Sequence, residues 1–197
     1  MALPDDLQLH GRLPARDQHH PGNPGGVGRH RGAAGLNPPR RLLIRADGAA
    51  RGNPGPAAAG AVLIDASRAD HRSPAAPPLA VVARPLGRQT NNFAEYTAVI
   101  LALELAHELD AREVELVLDS KLVVEQLMGR WRVRERTLVP LHARAAGLLR
   151  QFERWSLRHE PRAANHAADA LANLALDDPP AAAAAEGFRA ETTEQMS

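Results

Sequence analysis

Three strand-like runs follow one another with no helical pattern between them, and only then do helix and strand patterns alternate. Residues 41–47 centre on Leu42, Leu43 and Ile44, residues 57–65 on Val62, Leu63 and Ile64, and residues 79–84 form the third run. The Pro-rich stretch 66–78 reads as the hairpin loop between the second and third. A long helix is expected over 91–109, a strand of alternating polar and apolar residues over 113–118, and a helix over 120–128. A helix over 137–150, a strand over 153–160 and a last helix over 165–176 complete the pattern. Three meandering strands followed by alternating helices and strands restrict the chain to an α/β fold, a mixed sheet covered by helices.

These elements fill residues 40–178, a common size for one domain. Residues 1–39 are rich in Gly, Pro, His and Arg without apolar periodicity and are expected to be a disordered arm. Residues 179–197 are expected to be a flexible tail whose alanine run forms at most a short frayed helix. The 197-residue chain carries a net charge of only +1, so affinity for a polyanion must come from a local patch. Zero cysteines exclude disulfides, thiolate nucleophiles and Cys-ligated zinc. No apolar run reaches membrane-spanning length, the strongest being broken by Glu104, and residues 1–10 with Asp5 and Asp6 do not read as a signal peptide. A soluble cytoplasmic protein is expected.

Four short strings bear carboxylates: Asp47-Gly48-Ala49-Ala50-Arg51-Gly52-Asn53-Pro54-Gly55, Thr90-Asn91-Asn92-Phe93-Ala94-Glu95, Asp119-Ser120-Lys121 and Ala168-Asp169-Ala170-Leu171-Ala172-Asn173. Like charges gather in one site only when something positive holds them, and a hard divalent cation such as Mg²⁺ prefers oxygen ligands. Asp47 and Asp119 both fall at expected strand ends, where ligands collect in open sheets.

Each carboxylate also has a plainer reading. A helix turns about 100° per residue, so Glu95 points away from Glu104 and shares the sheet-facing side with Ala98, Val99 and Ala102; the alternative is a first-turn glutamate favoured by the helix dipole. Asp119 before a helix serves equally as an N-cap, and Asp47-Gly48 is an everyday turn dipeptide. Asp169, among Asn165, His166 and Asn173, reads by periodicity as part of a solvated polar face.

The string Gly-Asn-Pro-Gly occurs twice, at Gly22 and at Gly52, each with an aspartate five residues earlier (Asp17 and Asp47). Only the second copy is flanked by apolar strand runs, so context carries the information. There the glycines allow close approach of backbone to a ligand, and Asn53 can donate to a sugar or phosphate oxygen. Arg130, Arg132, Arg134 and Arg136 alternate around Trp131, either as a nucleic-acid contact or as a solvated loop. His159 and His166 fit no standard zinc spacing, and neither a Gly-x-Ser-x-Gly elbow nor a Gly-Lys-Ser/Thr phosphate loop is present.

Taken together and in this order, the four strings resemble the type 1 ribonuclease H family, in its compact bacterial and archaeal-like branch. The likeness covers residues 42–176 and includes Gly129-Arg130-Trp131-Arg132-Val133-Arg134 and Leu138-Val139-Pro140-Leu141. It implies a ribonuclease H-like fold, a five-stranded mixed sheet with its first three strands antiparallel, flanked by helices. It also implies a site of Asp47, Glu95, Asp119 and Asp169 binding two Mg²⁺ or Mn²⁺ ions, Asp47 bridging both. Such ions, about 3.5–4 Å apart, activate a water and stabilise the departing 3′ oxygen of an in-line attack. The implied activity is endonucleolytic hydrolysis of the RNA strand of RNA–DNA hybrids, with 5′-phosphate and 3′-hydroxyl products.

By the same resemblance, 2′-hydroxyl recognition falls on the backbone from Gly48 to Gly52 with Asn53, Asn91 and Asn92. Asn91 and Asn92 also suit a helix-capping role. Arg130, Trp131 and Arg132 become a contact to the DNA strand or backbone. The mobile group that assists product release is assigned to His159, with Arg162 as the alternative that this branch uses. The connection 129–137 is too short for the basic protrusion of some relatives, and residues 1–39 show no strand pattern of an added hybrid-binding domain. A monomer with no membrane association and no obligate protein partner is expected. Two other readings share the pattern: a different metal-dependent nuclease on the same fold, and a non-catalytic hybrid-binding module, against which clustered negative charge argues.

Overall fold

The computed structural model describes residues 41–187; the arm expected over 1–39 lies outside the described residues. Five strands form one sheet in the order β3-β2-β1-β4-β5. β1 (Arg41–Ala50), β2 (Gly55–Asp65) and β3 (Ala80–Gln89) are the antiparallel meander, while β4 (Glu113–Leu118) and β5 (Arg154–His159) join β1 in parallel. The helices are α1 (Asn91–Glu108), α2 (Lys121–Leu127), α3 (Leu138–Leu149), α4 (His166–Asp177) and α5 (Pro179–Ala185), with a 3-10 turn at Arg162–Ala164.

Strand alternation divides the sheet into two faces. Leu42, Ile44 and Ala46 of β1, with Leu63 of β2 and Leu116 of β4, pack against Tyr96, Val99 and Leu103 of α1 and Leu138 of α3. Leu43, Val62, Val81 and Val117 face the other way, where α4 sets Leu171 against them. α1 buries nine of its residues, so its apolar character extends well round the helix.

Two strands, β1 and β3, run further at their C-terminal ends than the sequence suggests. β1 continues past Asp47 to Ala50, because its pairing with β2 persists to Ala50↔Ala57. Asp47 therefore lies inside β1 rather than at its end. The parallel pairing with β4 stops at Arg45↔Val117, however, so Asp47 still stands just beyond the parallel part of the strand. β3 runs through Pro85 to Gln89, which an edge strand tolerates because one side of its backbone needs no partner.

The polar positions of β4 differ from a solvated face. Glu115 is only 3% exposed and accepts from Arg41 (2.9 Å), Arg72 (3.2 Å) and Arg158 (2.8 Å). Arg45, also 3% exposed, donates to Glu160 (3.1 Å). This half of the sheet, which α4 leaves uncovered, is closed by an ionic network in which each buried charge meets its opposite. The segment after Asp178, expected to be a tail, begins with α5. Asp178 caps it by accepting from the Ala181 N–H (3.1 Å), a proline opens it, and Ala182 is fully buried with Ala58, Ala83 and Ala175. Side chains this small let the helix approach β3 closely, which propensity alone did not reveal.

Candidate active site

The site begins with two close backbone approaches on opposite faces of the sheet, α1 on Gly48 and α4 on Gly60. Asp47 pairs with Gly60 across β1 and β2, and Gly48 follows it on the other face. A Cβ on Gly48 would stand 2.1 Å from the Glu95 nitrogen and 2.3 Å from the Ala94 carbonyl carbon, so only glycine lets the first turn of α1 press onto β1. That turn is fixed by Thr90, whose Oγ1 accepts from the Phe93 N–H (3.3 Å), and by Asn53, whose Oδ1 accepts from the Asn91 N–H (3.1 Å). Thr90, and neither Asn91 nor Asn92, holds the N-cap position. The Gly48 N–H and the Asn91 side chain lie beside the Glu95 carboxylate and favour its charged form.

Asp119 follows the last residue of β4. Ser120 takes the N-cap position of α2, which leaves the Asp119 carboxylate to another partner. That partner is Asn165, 1% exposed, whose Nδ2 donates to Asp119 Oδ1 and to the Ala46 carbonyl, both at 2.9 Å. Periodicity places Asn165 on a solvated face; the structure buries it between β1 and β4. No local pattern in the sequence marks it, because both its partners lie far along the chain. On α4, Asp169 is half-buried rather than solvated, since α4 lies so close to β2 that its first turn overhangs the end of β1.

Among the described residues, carboxylate oxygens of Asp47, Glu95 and Asp119 come within 4.8 Å of one another. They share a cavity of about 230 Å³ with Asn91, Asp169, Asn173 and Arg162. Asp47 is 5% exposed and Glu95 9%. Burial, then the charges of Asp119 and Asp169 and a hydrogen bond with Asp169, push the Asp47 carboxyl up to about 7, against the pull of Arg162. Burial, followed by the charges of Asp47 and Asp119, raises Glu95 well above the ordinary carboxylate range. Carboxylates crowded this closely retain protons for lack of positive charge. Every potential ligand is an oxygen, the set that suits a hard divalent cation. The residues fit such an ion.

Arg162 lines the cavity and pairs with Asp169. His159 does not line it; its Nε2 donates to the Asp119 carbonyl (3.1 Å). Of the two groups considered for product release, Arg162 therefore faces the cavity in this structure and His159 lies beside it at the end of β5. Gly52 and Asn53 are exposed on the β1–β2 turn beside the N-terminus of α1. Trp131 is 47% exposed, with Lys121 Nζ 6.0 Å from its ring centre. Arg130 is engaged by Glu125 through two contacts, at 2.6 and 3.0 Å, so its charge is largely compensated. Arg132 is exposed. Among the described residues, no helix is long and apolar enough to cross a membrane.

Comparison with known proteins decides the family. A family model described as "Reverse transcriptase-like" matches residues 45–175. Ribonuclease HI of Halobacterium salinarum is 47% identical over 135 residues, 67% of this chain and 62% of that protein. The crystal structure of ribonuclease H1 from that archaeon superposes with a TM-score of 0.64 at 46% identity, covering 70% of this chain and 98% of the other. The chain belongs to the type 1 ribonuclease H family. A bifunctional protein of Mycobacterium tuberculosis is 45% identical over 146 residues, 74% of this chain. The chain spans only 38% of that protein's length. The part it matches is structurally known as an N-terminal ribonuclease H domain, with a TM-score of 0.63 at 46% identity over 70% of this chain and 99% of that one. A ribonuclease H1 from compost, solved in complex with an RNA/DNA hybrid, is 37% identical with a TM-score of 0.62, covering 70% and 98% of the two chains. The five-stranded mixed sheet is the ribonuclease H fold, its first three strands antiparallel as expected.

Proposed function

We propose that this chain is an endonuclease that hydrolyses the RNA strand of RNA–DNA hybrids, leaving 5′-phosphate and 3′-hydroxyl ends. One observation carries the reading: carboxylates from β1, α1, the end of β4 and α4 converge on one cavity. A relative of the same fold was solved with an RNA/DNA hybrid, which supports the choice of substrate. Asp47, Glu95, Asp119 and Asp169 would hold two Mg²⁺ or Mn²⁺ ions. When bound, such ions supply an activated water and neutralise charge on the departing oxygen.

The chain's own groups do the rest. Asn165 holds the Asp119 carboxylate in place, and the Gly48 N–H and Asn91 favour the charged form of Glu95. The exposed edge formed by Gly52, Asn53, Asn91 and Asn92 reads 2′-hydroxyls. Trp131 offers a stacking face and Arg132 a charge to the DNA strand. Arg162, which lines the cavity and pairs with Asp169, offers a cation to the scissile phosphate and assists departure of the product. Every carboxylate comes from one chain, so a monomer suffices.

The experiment is cleavage of a labelled hybrid with Mg²⁺ or Mn²⁺ by the parent and by Asp47→Asn. The parent should cut only the RNA strand, and the variant should be folded and inactive. Undiminished cleavage by the variant would remove Asp47 from the site. Preferential cutting of duplex DNA would replace the substrate, and tight hybrid binding without cleavage in either metal would make the chain a binding module.

A further inference from the structure

Tyr96, next in sequence to Glu95, is fully buried, yet it carries a hydroxyl into the apolar core. That hydroxyl donates to Oε1 of Gln126 on α2 at 2.7 Å. Gln126 is itself only 6% exposed, and its Nε2 donates to the carbonyl of Arg132 at 3.5 Å. A chain of side-chain hydrogen bonds thus runs from the helix bearing Glu95, through α2, to the loop bearing Trp131 and Arg132.

The polarity of this chain is fixed. A phenol is protonated at neutral pH, so the Tyr96 hydroxyl is a donor. Turning the Gln126 amide over would set Oε1 against the Arg132 carbonyl, two acceptors facing each other, and would leave the phenolic proton unpartnered. Only the observed orientation gives both the phenolic proton and the Arg132 carbonyl a complementary partner. The tyrosine proton therefore decides which way the amide points, and the amide decides where the loop carbonyl is held.

The loop has few other restraints. Gly129, at φ 73°, ends α2 with its N–H on the Gln126 carbonyl (3.0 Å), and the Arg130 and Trp131 N–H groups both reach the Glu125 carbonyl (2.9 and 3.0 Å). Beyond Trp131, the next backbone hydrogen bond outside regular elements is Leu138 N–H to the Glu135 carbonyl (3.1 Å). The Gln126 amide thus supplies a hydrogen bond to the peptide that links Arg132 to Val133, while the Val133 side chain packs against the core. A buried polar pair costs desolvation that an apolar pair of the same size would avoid. Its use here points to geometry rather than to stability.

We propose that Tyr96 and Gln126 are positioning residues that hold the Trp131–Arg132 loop in fixed register with the carboxylate cluster. One hybrid can then meet the stacking ring and the cleavage site together. The proposal rests on the reading of this loop as a contact to the hybrid, and the test separates the two.

Trp131 and Trp155 are the only tryptophans, so Trp155→Phe makes Trp131 the sole indole reporter. In that background, hybrid added without divalent metal should change Trp131 emission. Tyr96→Phe should require about tenfold more hybrid for the same change, and with metal should raise KM about tenfold with kcat within about twofold, as expected for one lost buried hydrogen bond expressed in binding. Gln126→Glu keeps the acceptor for Tyr96 but loses the donor to Arg132, so it should behave like Tyr96→Phe and carries the test if that variant does not fold. Unchanged KM and emission titration in a folded variant would overturn the proposal while leaving the loop contact intact. A fall in kcat alone would also overturn it, by placing the effect at Glu95. No emission change in the parent would remove the loop contact and the proposal together.

Discussion

Gly60 sits against the backbone of Ala168, the residue before Asp169: a Cβ on Gly60 would stand 2.2 Å from the Ala168 carbonyl oxygen and 2.4 Å from the Ala172 nitrogen. Gly60 is also the β2 partner of Asp47. One missing methyl group therefore sets the separation between the carboxylates that β1 and α4 deliver.

Gly60→Ala should lift α4 from the sheet. Overpacking against backbone costs roughly 1–3 kcal/mol, and the displacement should fall on Asp169 more than on Glu95, which rides on the opposite face. Chemical denaturation should show the loss of stability, and hybrid cleavage should fall while the metal concentration for half-activity rises. Wild-type stability and activity in this variant would mean that α4 is not seated as described.

Asn165→Ala removes both Nδ2 contacts, to Asp119 Oδ1 and to the Ala46 carbonyl. Losing a partner that orients a metal-binding carboxylate typically lowers affinity or activity by about 10–100-fold. Titrating activity with Mg²⁺ should show the half-saturating concentration rise by that order. Asn165→Asp should be worse than alanine, because it sets a fifth carboxylate against Asp119. An Mg²⁺ titration that superposes on the parent's would contradict this.

Without divalent metal, stability should fall as pH rises. Asp47 is raised to about 7 in the fold from an ordinary 3.8, so the folded state binds this proton more tightly than the unfolded chain. The resulting stabilisation is complete below about pH 4 and is lost as pH rises through about 7, with an upper bound of roughly 4 kcal/mol. Glu95 shifts in the same direction. Melting temperature in chelator should therefore drop between pH 5 and pH 8, Mg²⁺ should raise it more at pH 8, and Asp47→Asn should flatten the dependence. A chelated parent as stable at pH 8 as at pH 5, relative to Asp47→Asn, would refute the linkage.

Arg162→Ala should lower turnover more than His159→Ala. Arg162 faces the cavity and pairs with Asp169, whereas the His159 ring is occupied by the Asp119 carbonyl. Loss of one charged contact to a phosphate is worth roughly 1.5–3 kcal/mol, about ten- to a hundredfold. Steady-state kinetics on the hybrid would distinguish them, and a larger loss in His159→Ala would favour the histidine assignment.

Much of the scaffold was legible because local rules write it. β4 matches its expected bounds, and the helices from α1 to α4 fall within two residues of theirs, since apolar periodicity and strand alternation report on each segment separately. Asp47 and Glu95 could be singled out for the same reason: a glycine string in strand context, and a carboxylate on an apolar helix face. Asn165, Glu115 and Gly60 were not legible. Each looks ordinary in its own segment and acquires its role from a partner far along the chain: Asp119, Arg158 and Ala168.

The sequence by itself determined the kinds and order of the elements, the four carboxylate strings, and the absence of thiol chemistry. Only the tertiary structure decided which polar groups are buried and what they meet there. Periodicity describes which side of a helix an amino acid occupies, but not how far that helix overhangs the sheet. α4 sits on glycine and alanine at van der Waals distance, so the polar turn holding Asn165 and Asp169 closes over the end of β1 instead of facing water. Burial of a charge is a property of the packed layers, and it is this packing that turns four separate carboxylates into one site.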